Sequence, residues 1–290
     1  MKDNVLKKLK NNRILITFVI FSSSILLLSY IYLISSISNF DNYPIFYDSE
    51  ENFNNSILAG AEHLRELQNQ NGLFNITDIK FSENDTRIYS HSYIFDALLD
   101  IQPLDQKVNN NVIQNAVNYL FQIISNNSCW KFNINIPPDC DDSSLAIIAL
   151  IKAGNRSEVE NSITNLTLAK LGSGHFNTWI YNNSDWEGEE MVLVEPVITA
   201  TVIYALWLYN FSLYSQIIND GIELLENNQT IEGYWIANYW YIGPFYASFI
   251  ISRILCVAKP NSSCLEKFFD YLINIQNLDG SWGRNNSGNP

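Results

Sequence analysis

Two kinds of apolar segment alternate along the chain from residue 53 onward. One kind is apolar on almost every face, because it is rich in Ala, Leu and Ile and has few charges. A helix that is apolar all round is a buried helix. These segments are residues 89–101, 143–153, 197–209 and 245–257. The segments between them are amphipathic and carry the charges, so the pattern predicts half-exposed outer helices that alternate with buried inner helices.

A short turn with glycine and an aromatic residue follows the outer segments. The clearest copy is the last, from Gln276 through Gly280 to Trp282. An internal repeat of roughly fifty residues is typical of stacked helical hairpins. A stack that curves onto itself becomes an α/α toroid, with the inner helices around a central cavity. We therefore expect an all-α fold. The copies of the turn are 68–74, 122–130, 168–176, 229–235 and 276–282.

The N-terminal segment has the pattern of a membrane anchor. Residues 1–13 hold five basic side chains and one acid, and residues 14–37 carry no charge. At about 1.5 Å per residue, such a run exceeds the roughly 30 Å of a bilayer core. The basic flank predicts a cytoplasmic N-terminus. A signal peptide cleaved near Ser36-Ile37-Ser38 is the alternative, although a signal core has only about 7–15 apolar residues. Either arrangement exports residues 53–290, which a linker at 38–52 would join to the span.

Two further features agree with export. The chain has eleven Asn-x-Ser/Thr sequons, which in exported proteins are acceptors for N-linked glycans. The cysteines are close in pairs, Cys129 with Cys140 and Cys256 with Cys264, and no Cys-x-x-Cys pattern or nearby His suggests zinc. Outside the cytoplasm two local disulfides are expected, with four buried thiols as the alternative.

The charge of the chain excludes one class of partner. The net charge of −13 becomes −17 when the basic tail, with five basic residues and one acid, is set aside. Binding to nucleic acid requires a basic face, so we expect no nucleic-acid partner. The membrane is the partner that the N-terminal segment predicts.

The turn with Gln, Gly and Trp resembles the repeat of the terpene cyclase and protein prenyltransferase superfamily. The resemblance covers nearly all of residues 53–290 and is closest in the last copy. It implies an α/α toroid in which the Gln caps neighbouring helix ends and the aromatic ring stacks beside it. The sequence shows five outer but four inner segments, so the ring is open, is completed by helices from the linker and loops, or needs a second chain. On this resemblance the structural residues are Gln229, Trp235, Gln276 and Trp282.

An acidic motif precedes the second inner segment. Pro137 and Pro138 halt the preceding structure. The carboxyl groups of Asp139, Asp141 and Asp142 follow, and an apolar segment begins at once. Clustered carboxyl groups cannot all ionise, so one of them keeps its proton at a raised pKa, while the positive end of a helix opposes this shift. The cluster is a candidate general acid.

Within this repeat, Asp-Cys-Asp-Asp resembles the Asp-x-Asp-Asp motif of class II terpenoid cyclases, including the squalene–hopene and copalyl diphosphate types. The implied activity is proton-initiated cyclisation of an isoprenoid without a cofactor. Asp141 would be the proton donor, with Asp139 and Asp142 as its hydrogen-bonded neighbours. The zinc-dependent prenyltransferases fit less well, because Asp139 and Cys140 are adjacent where those enzymes need Asp-x-Cys, so no metal is expected on this resemblance.

Two other interpretations of the motif stay open. Asp and Ser at a helix start are ordinary capping residues, so the geometry would then be inherited without activity. Three clustered carboxylates outside a cell are also a plausible beginning of a Ca²⁺ site.

The inner helices all begin at one rim if the hairpins wind in one direction. That rim would gather the acidic cluster with His91, Glu195, Trp240 and Tyr241. Carboxylates beside aromatic rings in a concave mouth are a default ligand site, here for an isoprenoid or a glycan. The competing functions are a cyclase, a glycan-active toroid that uses the cluster and Glu195 as paired carboxylates, and a non-catalytic module that binds a partner through its acidic rim.

Overall fold

The computed structural model describes most of the chain after residue 49. The described residues are 50–74, 85–103, 105, 107–172, 174–180, 194–237 and 244–276, with the side chains of 50–56 left aside. The predicted basic tail at 1–13 and membrane span at 14–37 lie outside them, as does all but the end of the predicted linker at 38–52. The first described helix begins at Glu50, inside the range predicted as linker.

The described part of the chain is all-α, as the sequence predicts, with only isolated β-bridges beside its helices. A 3₁₀ turn at Ser157–Val159 precedes α5. The four predicted inner segments coincide with α2, α4, the first half of α6, and α7, and most residues of these segments are buried. The predicted alternation of outer and inner helices is therefore confirmed, while closure of a ring stays a prediction. The helices are α1 (Glu50–Glu66), α2 (Ile88–Ile101), α3 (Asn110–Gln122), α4 (Cys140–Lys152), α5 (Glu160–Leu168), α6 (Pro196–Asn227), α7 (Pro244–Ala258) and α8 (Ser263–Ile275).

Helix α6 is two helices joined at a kink. Asn210 has the non-helical backbone angles φ −164° and ψ 92°, and its side-chain oxygen accepts the N–H of Leu213 at 3.1 Å. Asn210 therefore ends the inner half and caps the outer half. Among the described helices, α6 is the one long and apolar enough to cross a membrane. However, 56% of its most apolar window is buried, and the inner half covers only about 21 Å of the roughly 30 Å needed. These are the properties of a core helix.

The chain divides into two compact units, one of which is Leu58–Leu225. Within it, α2 packs along α4, and α3 and α5 pack on these inner helices. Lys152, the last residue of α4, pairs with Asp96 at 2.6 Å and also with Asp100, both in the second half of α2. Since the C-terminal halves of α2 and α4 meet, the two helices are parallel and begin at the same end of the unit.

The other unit contains the described residues before 58 and those from Glu226 onward. Its helices α7 and α8 pack together. The carboxylate of Glu226 accepts bonds from Lys259 and from the Ser262 hydroxyl, both at 2.6 Å. Ser262 in turn caps α8, because its side chain accepts the N–H of Cys264. These contacts hold the start of α8 against the end of α6.

The turn predicted from the sequence recurs four times among the described residues with the same backbone bonds. In the first copy, Asn69 N donates to Leu73 O at 2.9 Å and Gly72 N donates to Asn69 O at 3.0 Å. Equivalent pairs of bonds form in the turns that begin after residues 124, 170 and 229. The fourth residue of the turn has positive φ in every described copy, which favours glycine. It is Gly72 (91°), Ser128 (59°), Gly174 (83°) and Gly233 (101°).

Each turn glycine lies against the outer helix that follows. A Cβ on Gly72 would overlap the carbonyl oxygen of Asn115 in α3, and a Cβ on Gly233 would lie 2.6 Å from Lys267 O in α8. Gly174 approaches Asp220 of α6 in the same way, at 3.1 Å. Only glycine permits both the positive φ and this approach, which explains the recurrence of glycine in the sequence.

The two predicted disulfides are absent. Cys129, Cys140, Cys256 and Cys264 are all buried, and none of them forms a disulfide. The Cys129 thiol is hydrogen-bonded to Ser143 and Asn165, and burial raises its pKa to about 12. Cys264 donates to Glu226 O at 3.7 Å. In the structure, the pairing predicted from short separations is therefore wrong, and these two thiols bond to Ser143, Asn165 and Glu226 instead.

Candidate functional site

The acidic motif forms the N-terminal end of α4. Asp139 has extended backbone angles and is the N-cap, since its Oδ1 accepts the N–H of Asp142 at 2.9 Å. Its Oδ2 accepts the N–H of Phe132 at 3.0 Å, and its own N–H donates to Trp130 O at 3.2 Å. One carboxyl group thus starts the helix and closes the loop that leads into it.

A short extended segment lies beside this helix start. Cys140 N donates to Thr178 O at 2.7 Å, and Ile180 N donates to Pro138 O at 2.8 Å. Pro138 cannot donate a backbone hydrogen bond, but its carbonyl remains available to accept one. The cluster is therefore held on one side by residues 130–132 and on another by residues 178–180.

The three acids of the cluster differ in burial. Asp139 and Asp142 are each 2% exposed, whereas Asp141 is partly exposed. Burial raises the pKa of Asp142, and the charge of Asp141 beside it raises this pKa further. Burial also raises the pKa of Asp139, as do both neighbouring acids and a side-chain hydrogen bond with Asp141, whereas the backbone N–H of Asp142 opposes the shift. A hydrogen bond between two carboxyl groups requires a proton, so the cluster retains at least one when the bond forms.

One carboxyl oxygen of Asp142 differs from the others in its hydrogen bonding. Asp142 Oδ2 is buried and has no hydrogen-bond partner among the described residues. A buried acceptor without a donor is costly when the group is ionised. This favours the neutral form of Asp142, in agreement with its raised pKa.

His91 does not reach the acids by hydrogen bonding. Its Nδ1 accepts the N–H of Phe74 at 3.2 Å, and its Nε2 lies 3.3 Å from Ala116 O, to which it donates in the matching tautomer. Its ring stacks on Phe74, with centroids 5.2 Å apart. Burial lowers the pKa of His91 to about 3. His91 is therefore a neutral, fully bonded core residue and not an exposed residue of a ligand-binding rim.

The other predicted rim residues are not assembled into an open site by the described part of the structure. Glu195 directly precedes α6 and has no exposed surface. This burial gives no support to a glycan site in which Glu195 and the acidic cluster act as paired carboxylates. Trp240 and Tyr241 lie outside the described residues.

Two of the predicted repeat residues, Gln229 and Trp235, lie where the turn after α6 meets α8. Gln229 Nε2 donates to Gly233 O at 2.8 Å within its turn and to Cys264 O at 2.7 Å in α8. Trp235 is fully buried, with its ring edge-on to Phe268. Gln276 follows the end of α8, and Trp282 lies outside the described residues.

Sequence reasoning missed a polar bond that joins each described turn to the next inner helix. The aromatic residue two places after the positive-φ position donates its N–H to a side chain near the start of that helix. All four acceptor side chains are completely buried. The signal in the sequence is a small polar residue or histidine in the first two turns of an otherwise apolar helix. The pairs are Phe74 with His91, Trp130 with Ser143, Phe176 with Thr199, and Trp235 with Ser248.

The cluster gives no support to the calcium interpretation. Among the described residues, no group of three His, Cys, Asp or Glu side chains is arranged to hold a metal ion. Both oxygens of Asp139 already accept backbone N–H groups. A carboxylate committed to a cap in this way is a poor ligand for a cation.

Comparison with known proteins identifies the fold. No protein-family model matches the chain. The ent-copalyl diphosphate synthase from Streptomyces platensis is similar, with a TM-score of 0.53 and 17% identity over 69% of this chain and 36% of that protein. A variant of the type II terpene cyclase MstE from Scytonema, solved with its substrate geranylgeranyl dihydroxybenzoate, is similar with a TM-score of 0.62 and 13% identity over 80% of this chain and 67% of MstE. A protein from Actinoplanes gives 0.60 and 15% over 80% of this chain and 69% of that protein.

These likenesses show that the chain has a terpene-cyclase-like fold, as the repeat and the acidic motif together predict. The chain covers 36% of the copalyl diphosphate synthase, so it spans about a third of that enzyme. The activities and ligands of those proteins are therefore a matter for proposal here.

Proposed function

We propose that the chain is a membrane-anchored, extracytoplasmic terpenoid cyclase that starts cyclisation of an isoprenoid by protonating an alkene. The observation that carries the proposal is the acidic cluster, with Asp139 buried and Asp141 partly exposed, at the start of an inner helix of a terpene-cyclase-like fold. Burial and the neighbouring acids raise the pKa of Asp139, and the partial exposure of Asp141 makes the cluster reachable.

The three carboxyl groups have different roles in the proposed reaction because they differ in position and burial. Asp139 is committed to the cap and the loop, and it is too buried to meet a substrate. Burial beside another acid raises the pKa of Asp142, which favours its neutral form and reduces the negative charge of the site. Asp141 is the acid that can face an alkene, and Asp139 orients it. A general acid held in this way contributes about 10²–10⁴-fold to a rate.

The reaction balances without a cofactor. The Asp141 O–H bond breaks, and its proton forms a C–H bond with the π electrons of the terminal alkene, which leaves a tertiary carbocation. The π electrons of the next alkene then form the ring C–C bond, and the positive charge moves along the chain. Loss of a proton to water from the carbon beside the last cation restores an alkene, and water returns a proton to the carboxylate. The product is an isomer of the substrate.

The predicted membrane anchor favours the proposal that the substrate is apolar. A domain tethered by residues 14–37 stays beside the bilayer, where an isoprenoid chain partitions because burial of each CH₂ is worth about 0.8 kcal/mol. The substrate would then reach the domain from the membrane surface.

The test uses the full-length protein in membranes. It would be incubated with squalene and, separately, with geranylgeranyl diphosphate, and the cyclised products would be identified by mass spectrometry. We expect Asp141→Asn to lower turnover by at least about 10²-fold with an unchanged midpoint of thermal unfolding. Asp139→Asn keeps a good capping group and is the matched variant for the orienting role. Its turnover should fall less than that of Asp141→Asn.

Two results would overturn the proposal. One is full turnover by Asp141→Asn. The other is that the folded wild-type protein forms no cyclised product from either isoprenoid, which would leave the non-catalytic binding module as the better explanation of the fold.

A further inference from the structure

Asn210 caps a helix and is also a candidate site for glycosylation. It lies at the kink of α6, is exposed, and has the extended backbone angle φ −164°. Its Oδ1 accepts the N–H of Leu213 at 3.1 Å. The residues Asn210-Phe211-Ser212 form a sequon, and Ser212 is exposed as well.

The capping bond uses the side-chain oxygen of Asn210 and leaves its side-chain nitrogen available for attachment of a glycan. Attachment of a glycan replaces one hydrogen on the side-chain nitrogen and keeps the carbonyl oxygen as an acceptor. The bond from Leu213 N to Asn210 Oδ1 can therefore persist in the glycosylated chain. The sugar would extend into solvent, because Asn210 is exposed.

Two other sequon asparagines in the same unit, Asn155 and Asn165, use the side-chain nitrogen that a glycan would need. Asn165 Nδ2 donates to Asn127 O at 2.6 Å from within α5, and Asn155 Nδ2 donates to Ala153 O at 3.3 Å. Both side chains are partly buried. A glycan on Asn165 would compete with a short backbone bond and would meet the loop around Asn127.

The surface beside Asn210 is apolar. Phe211 is 44% exposed and Leu213 is 65% exposed. Adjacent exposed apolar side chains are a liability for a protein in water unless something covers them. The first sugar on Asn210 would lie next to both, and the C–H face of a pyranose can cover them.

We propose that Asn210, at the kink of α6, carries an N-linked glycan. The inference rests on the proposed extracytoplasmic placement of the domain. The reaction needs a lipid-linked oligosaccharide diphosphate as donor. The Asn210 nitrogen forms the bond to the sugar C1 and loses a proton, while the bond from C1 to the diphosphate breaks and the diphosphate leaves with the electron pair.

The experiment is to express the full chain in yeast or insect cells, which glycosylate exported sequons. Tryptic peptides would be treated with an N-glycosidase in heavy-oxygen water, which removes each glycan and converts the occupied Asn into a labelled Asp that mass spectrometry detects. We expect label at Asn210 and none at Asn165. Ser212→Ala keeps the Asn210 cap but should remove the label at this position, and Ser212→Thr, which keeps the sequon, should retain it.

The outcomes separate the two proposals. Label at other sequons without label at Asn210 would overturn this inference and leave the extracytoplasmic placement supported. Absence of label at every sequon, in a host that labels a control glycoprotein, would overturn both. As a second measurement, the Ser212→Ala protein should bind more of a hydrophobic dye than the Ser212→Thr protein, because Phe211 and Leu213 are then uncovered. Equal dye binding by two variants that differ in glycan would contradict the covering role.

Discussion

The backbone N–H of Trp130 donates to the Oγ of Ser143 at 3.0 Å, and both residues are completely buried. The same hydroxyl lies 3.2 Å from Trp130 O, and Asp139 N also bonds to that carbonyl. The loop before α4 is therefore held by side chains at the start of the helix. Because the bond recurs at His91, Thr199 and Ser248, it is a property of the repeat, and at Ser143 it also fixes the backbone beside the acidic cluster.

Removal of this acceptor should destabilise the protein. Ser143→Ala leaves the buried N–H of Trp130 without its side-chain partner, so we expect the free energy of unfolding to fall by about 1–3 kcal/mol. Ser144→Ala is the matched control, because Ser144 is equally buried and its Oγ has no partner among the described residues. It should be neutral or slightly stabilising. Chemical denaturation of both variants tests this, and equal losses would show that the Trp130 bond has no special value.

Alanine substitutions at two glycines should separate the energetic cost of backbone strain from that of steric overlap. Gly72 and Gly154 have nearly the same φ, 91° and 92°. A Cβ on Gly72 would overlap Asn115 O, whereas a Cβ on Gly154 would meet nothing within 4 Å. Gly154→Ala should cost about 1–2 kcal/mol from its left-handed backbone alone. Gly72→Ala should cost clearly more, by about another 1–3 kcal/mol as α3 is displaced. Thermal unfolding of the two variants measures the difference, and similar midpoints would contradict the close approach.

The buried acids should make stability depend on pH in a defined direction. The raised pKa of Asp142 means that the folded state binds a proton that the unfolded state has already released above about pH 4. The free energy of unfolding should therefore fall as the pH rises from about 4 toward the folded-state pKa of Asp142, by at most about 1.4 kcal/mol per pH unit. Asp142→Asn removes this titration, so its stability relative to wild type should increase over the same window. A difference that stays constant with pH would contradict the shift.

The free cysteines make a prediction about reactivity. Burial raises the pKa of Cys129 to about 12 and raises that of Cys140 as well, so both thiols should react slowly with a disulfide reagent in the native protein. After denaturation without a reductant, four thiols per chain should react. A reduced and denatured sample is the control. Fewer reactive thiols in the unreduced sample would show that cysteines are paired in disulfides, as the spacing of the cysteines predicts.

Helix positions and turn chemistry could be predicted from the sequence because both are local. Apolar periodicity placed the inner helices to within a few residues, since a residue's face on a helix follows from its position along the chain. Asp139 could be predicted as a cap because capping involves neighbours two or three residues away. The repeated turn could be predicted from Gly and an aromatic residue, because positive φ favours glycine wherever it occurs.

The tertiary structure decided the relationships between residues that are distant in sequence. Nothing near His91 in the sequence indicates that its nitrogens face Phe74 and Ala116, and nothing near Asp141 indicates that it is less buried than Asp139 and Asp142. The cysteine pairing could not be predicted from the sequence for the same reason. Whether two thiols meet depends on the directions of their side chains, and packing determines these directions. The N-terminal pattern still predicts a membrane anchor. Local chemistry along the chain thus determined where the helices and the acidic motif lie, whereas packing between helices determined which acids are buried and which is partly exposed, because burial depends on residues that are distant in sequence.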